Sequence, residues 1–127
     1  MNWRTYLALA EVLSNTNEPA YLRSAISRAY YCIFNIARIK AGYNVRGEVE
    51  SHIKFINSLK EADDEIVVQL DIDENDVRFL GNQLDGLRKE RNEADYNGLA
   101  TTITQKRAKE VNKQVVEMLE ILSSPTS

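Results

Sequence analysis

Leu84-Asp85-Gly86-Leu87-Arg88-Lys89-Glu90-Arg91-Asn92-Glu93-Ala94-Asp95-Tyr96 reads as the C-terminal half of a helix that begins near Asn75. Val77, Leu80, Leu84, Leu87 and Ala94 fall at steps that keep one apolar stripe on a helix and break the alternation a strand needs. Four residues beyond Leu87 the stripe lands on Arg91. A guanidinium stays charged and is unfavourable to bury alone, so Arg91 needs an anion, a polar partner or water beside it. Asp95, one turn on, is the nearest candidate within the helix, with Arg88 and Asn92 on adjoining surface. A polar cluster thus interrupts a core-facing helix, and it is the first candidate for function. The plainer reading is an ordinary helix-surface pair between Arg91 and Asp95, which would contribute roughly 0.2–0.5 kcal/mol.

Outward from that helix the chain offers further helices and no paired strands. The first is expected from Asn2 to Leu13, with Trp3, Leu7, Ala10 and Leu13 or Ser14 on one face. Ser14 to Asn17 forms a turn, and Pro19 suits the first turn of a long helix reaching about Ala41. Leu22, Ile26, Ala29, Ile33 and Ile36 make one stripe on it; Tyr21, Ala25, Cys32 and Ile39 make a second. So wide an apolar arc predicts packing on more than one neighbour, with Gly42 as the C-terminal stop. A short helix follows over Glu48–Leu59, with Val49, Ile53, Ile56 and Leu59 or Phe55 inward and His52 beside them.

Ile66-Val67-Val68-Gln69-Leu70 has strand-like composition but no partner strand, and is expected to be a connector or helical turn covering a core edge. Gly81 and Gly86 each weaken the Asn75–Tyr96 helix by about 1 kcal/mol relative to alanine, so packing must hold it. Asn97-Gly98 is a turn, and Thr102-Ile103-Thr104-Gln105 fits a capping box with Thr102 as cap. The last helix runs to about Leu122, with Ile103, Val111, Val115, Met118 or Leu119 and Leu122 inward; residues 123–127 are expected to fray. The predicted fold is a single all-α domain over residues 1–127, an up-and-down bundle of four to five helices.

Composition narrows the chemistry. The chain has 127 residues and 43% hydrophobic content, ordinary for one globular domain. One cysteine and one histidine rule out a His/Cys zinc site of normal ligand count, and no metal or cofactor is expected. Cys32, at a helical position among apolar residues, reads as a buried, inert thiol. No apolar run is long enough to span a bilayer and no signal-peptide pattern opens the chain, so a cytoplasmic location without membrane attachment is expected. A net charge of −3 disfavours a nonspecific nucleic-acid coat but leaves room for a local basic site. Phosphate-cradling glycine loops and nucleophile elbows are both missing, which leaves the arginine-centred patch, alone or joined by His52, as the one candidate for chemistry. Such a patch can hold a phosphodiester by bidentate hydrogen bonds and offset charge building on phosphorus.

Three segments resemble one family. Tyr21-Leu22-Arg23-Ser24-Ala25-Ile26-Ser27-Arg28-Ala29-Tyr30-Tyr31-Cys32-Ile33-Phe34 is similar to the long second helix of HEPN domains. His52 with Phe55 resembles that family's short-helix histidine motif. Arg91-Asn92-Glu93-Ala94-Asp95-Tyr96-Asn97 resembles the Arg-x-x-Ala-Asp-Tyr-Asp variant of one HEPN branch. The resemblance implies a HEPN-like helical bundle that dimerises, and metal-independent endoribonuclease activity in a toxin–antitoxin or antiphage system. A small nucleotidyltransferase or antitoxin partner is implied as well. On this chain it implies Arg91, Asn92, Asp95 and Tyr96 as catalytic residues, and Arg88, Lys89, Arg28 and His52 as RNA-binding ones. The histidine of the family's Arg-x4–6-His motif has no counterpart, and Asp95 or Tyr96 stands about where it would fall. Two expectations stay open: a ribonuclease that draws its proton carrier from Asp95 or His52, and a non-cleaving module that binds RNA, a nucleotide or a protein partner in the same cleft.

Overall fold

The computed structural model describes residues 4–43, 49–96 and 104–123, with side chains described for 4–43, 51–92 and 104–123. Within them lie six helices and no strand: α1 (Arg4–Leu13), α2 (Pro19–Lys40), α3 (Val49–Lys60), α4 (Asp64–Leu70), α5 (Glu74–Tyr96) and α6 (Gln105–Ser123). The all-helical expectation therefore holds, with one helix more than predicted. The extra one is α4, where Asp64 and Glu65 in the first turn complement the helix dipole and Ile66 and Leu70, one turn apart, anchor it to the core. A strand there would have left its backbone unpaired, whereas a helix satisfies its own.

α2 is the central element and packs against α1, α5 and α6, while α3 packs along α5. The double stripe explains this: Leu22, Ala25, Ile26, Ala29, Tyr30, Cys32, Ile33, Phe34 and Ala37 are all buried. The second stripe does not extend to its ends, for Tyr21 is 51% and Ile39 54% exposed. Leu22, Ala37 and Ala41 at the same ends are buried, so these two side chains lie on the outer face of α2. Ile53 on α3, expected inward, is likewise 36% exposed. Gly42 does close α2: at φ +67° its N–H bonds to Ile39 O and the next N–H, from Tyr43, reaches Arg38 O.

α3 runs antiparallel to α5 at very close range. A methyl placed on Gly81 would stand 2.6 Å from the Lys60 nitrogen and 2.9 Å from Leu59 carbon atoms. At the same end Lys60 Nζ meets Asp85 at 3.2 Å. The start of α6 corrects the capping prediction: Thr104 Oγ1 accepts from Arg107 N at 3.1 Å, so Thr104 is the cap and Gln105 already helical. Trp3, Thr102, Ile103 and the Asn97-Gly98 turn lie outside the described residues, as do the side chains of Val49 and Ala94. No helix of the described residues is long and apolar enough to cross a membrane.

Candidate functional site

The stripe of α5 is buried at Val77, Leu80, Leu84 and Leu87, and its continuation puts the half-buried Arg91 against α2. There Arg91 Nη1 donates to the Tyr31 hydroxyl, and Nη2 donates to Asn92 Oδ1 at 3.0 Å. The guanidinium carbon lies 5.4 Å from the centre of the Tyr30 ring and 5.0 Å from that of Tyr31. Each cation–π contact of this kind is worth roughly 0.5–2 kcal/mol, rising with desolvation. The partners that hold Arg91 are thus neutral. Among the described residues no carboxylate comes within salt-bridge distance of it. Its Nε is buried and without a hydrogen-bond partner among the described residues, and so is that of Arg88.

Two acids nearby on α5 are spoken for. Glu90 is turned to α6, where Arg107 grips both of its oxygens at 2.6 Å. Asp85 receives Lys60, Arg88 and Lys89 at 3.2, 3.3 and 3.2 Å. Burial alone would raise the Asp85 carboxyl, but hydrogen bonds from Lys89, Lys60 and Arg88 overcome it and hold the group below the usual carboxylate range.

Behind the arginines stands an aromatic wall. Tyr30 is completely buried and stacks on Phe34, with ring centres 5.6 Å apart. Phe34 in turn carries the His52 imidazole face to face at 4.1 Å with 6° between planes. The Tyr30 hydroxyl lies 3.5 Å from His52 Nδ1, a long contact. Burial, and then the charges of Arg91, Arg38 and Arg88, push the imidazole below its ordinary 6.5, so His52 is neutral at pH 7. Burial pushes the Tyr30 phenol up, against the pull of Arg91 and Arg88, so it stays protonated.

Of the residues singled out in the sequence, Arg91, Asn92, Arg88 and His52 are brought together. Lys89 and Arg28 are not part of the Arg91 cluster: Lys89 is bound to Asp85, and Arg28 Nε donates to Ser24 Oγ on its own helix. Asp95 and Tyr96 ride on the α5 backbone, but their side chains lie outside the described ones. Tyr30, Tyr31 and Phe34 were not picked out as site residues. Their signal was legible in retrospect, since two adjacent hydroxyl-bearing aromatics on a core helix need polar partners.

Taken together, the site offers two arginines with unused donor capacity, a neutral imidazole and a low-dielectric aromatic backing, a set suited to an oxyanion. A concavity of ≈ 340 Å³ away from these residues is lined by Tyr43, Ser58, Asp63, Asp64, Glu65 and Ile66 and is acidic, which makes it repel an oxyanion. No group of three or more His, Cys, Asp or Glu side chains suited to a metal occurs among the described residues. No family model, curated protein or solved structure matches the chain.

Proposed function

We propose that the chain is a HEPN-like, RNA-acting domain of a toxin–antitoxin or antiphage system, whose Arg91 holds the scissile phosphate of a metal-independent ribonuclease. The observation that carries this reading is the Arg91 guanidinium, seated on two tyrosine rings with only neutral partners described and with Arg88 beside it. A cation built into a bundle at the place of an aliphatic side chain, with Glu90 turned away from it, is a site made for an external anion. Arg91 and Arg88 would offset charge on the phosphoryl oxygens, and Asn92 would orient one of them. His52, neutral at pH 7, would take the proton of the attacking 2′-hydroxyl as its oxygen bonds to phosphorus and the P–O5′ bond breaks, giving a 2′,3′-cyclic phosphate and a 5′-oxygen protonated by water. The resemblance to HEPN domains adds the expectation of a homodimer in which two such sites face each other, alongside a nucleotidyltransferase or antitoxin partner.

A second reading keeps the same phosphate site without cleavage. It is favoured by the absence of histidine from the segment after Arg91, where the chain has Asp95 and Tyr96, and by the setting of His52, whose ring is stacked on Phe34 and half withdrawn from solvent. One assay separates them. End-labelled single-stranded RNA is incubated with the protein in EDTA, beside Arg91→Ala. The ribonuclease reading expects cleavage that falls by roughly 10²–10³-fold in the variant. Binding that weakens in Arg91→Ala without any cut RNA leaves the non-cleaving module. Equal behaviour of both proteins in binding and cleavage refutes the Arg91 site.

A further inference from the structure

The basic groups do not stop at Arg91. α3 and α5 run antiparallel, so His52 lies by the Arg91 end of the seam and Lys60 by the Asp85 end, about 12 Å apart along α3. Arg88 lies between them, with its side chain 17% exposed, one Nη on Asp85 and its buried Nε unpartnered. At the far end Lys60 and Lys89 are 36% and 67% exposed and converge with Arg88 on the single carboxylate of Asp85. With Arg88 shared with the deep subsite, the two lysines on one carboxylate leave a surplus of one positive charge at that end. The protein as a whole carries a net charge of −3, so this surplus is a local feature. A lone phosphate would be satisfied by Arg91 and Arg88, and the lysine end would then have no ligand.

We propose that the Arg91 site is the deep end of a two-phosphate track along the α3–α5 seam, with Lys60 and Lys89 binding a neighbouring phosphate of the same single-stranded oligonucleotide. This rests on the anion-binding reading above and adds a second phosphate subsite at Lys60 and Lys89. Asp85 is the internal counter-ion: it gathers the lysines when the track is empty and competes with the second phosphate for them. The track thereby reads a chain of phosphates through charge, without demanding a base sequence.

The test measures binding of a fluorescent oligouridylate about 12 nucleotides long by anisotropy, between about 50 and 200 mM KCl. Wild type is compared with the double variant Lys60→Gln/Lys89→Gln, with Asp85→Asn and with Arg91→Ala, each checked for folding by circular dichroism. Losing the second phosphate makes the plot of log affinity against log salt shallower by about 0.7. The ratio of affinities at the two salt limits then shrinks by about two- to threefold. Asp85→Asn binds the oligonucleotide more tightly than wild type. In parallel, inorganic phosphate is titrated while the imidazole resonances of His52, the single histidine, are followed by NMR. The double variant shows the wild-type phosphate shift, because the deep subsite is intact. An unchanged salt slope in the double variant, with binding still lost in Arg91→Ala, overturns the track but leaves the Arg91 site standing. Oligonucleotide binding that Arg91→Ala does not alter removes the underlying reading as well. Tripolyphosphate competing as strongly as the oligonucleotide would rule out a nucleic-acid chain as the ligand of the track.

Discussion

At the scale of single residues, Arg91 and His52 are coupled through aromatic rings. Arg91 rests on Tyr30 and Tyr31, and His52 is backed by Phe34 with Tyr30 at its Nδ1. This arrangement sets a pH dependence whose sign follows from the lowered imidazole. Below the ordinary 6.5 the unfolded chain takes up a proton that the folded chain resists, so folding stability falls as pH drops through that value toward the folded-state one. Above 6.5 both states are neutral and the stability is fully present. Urea unfolding at pH 5.5 and 7.5 is expected to show the acid loss in wild type and a smaller loss in His52→Gln. A bound phosphate should raise the same titration by offsetting Arg91 and Arg88, which the single histidine signal reports directly. Identical pH slopes for both proteins would show that the imidazole is no more buried than in the unfolded chain.

At the scale of elements, the α3–α5 seam is the least forgiving contact. Gly81 and Gly86 lie on the same helix, and helix propensity treats them alike. Their surroundings do not: a methyl at Gly81 meets the Lys60 backbone at 2.6 Å, while at Gly86 nothing stands within 4 Å. Gly81→Ala is therefore expected to destabilise the fold by roughly 1–3 kcal/mol, and Gly86→Ala to stabilise it by about 0.4–1 kcal/mol. Denaturant midpoints for the two single variants check this, and a shift of the same sign for both would contradict the close approach. Because Lys60 and Asp85 meet beside that contact, Gly81→Ala should also disturb the lysine end of the seam before it reaches Arg91.

At the scale of the whole molecule, α2 is the pillar to which α1, α5 and α6 are fastened, and the candidate site lies where α2, α3 and α5 come together. The proposed HEPN-like assembly would bring two Arg91 sites across a two-fold axis, where each guanidinium shares anions and water with its counterpart. Light scattering at micromolar concentration is then expected to give twice the chain mass. A monomer at that concentration would dismiss the shared site but not the single one.

Apart from α4 and the exposed Tyr21, Ile39 and Ile53, the helices and their inward faces were legible in the residues themselves. The α2 and α5 boundaries, the burial of Val77 to Leu87 and the stop at Gly42 all follow from local periodicity, proline placement and glycine at positive φ. The same periodicity put Arg91 on a core-facing stripe and so marked the site. Tertiary structure alone decided whom Arg91 meets. Within the helix Asp95 was the nearest partner, yet the described hydrogen bonds of Arg91 go to Tyr31, 60 positions away, and to Asn92. It also decided that Glu90 faces Arg107 and that Asp85 collects three cations. The physical reason is one of range: side-chain spacing fixes a helix and its apolar face, but not the rotation and crossing that put one helix's polar groups opposite another's.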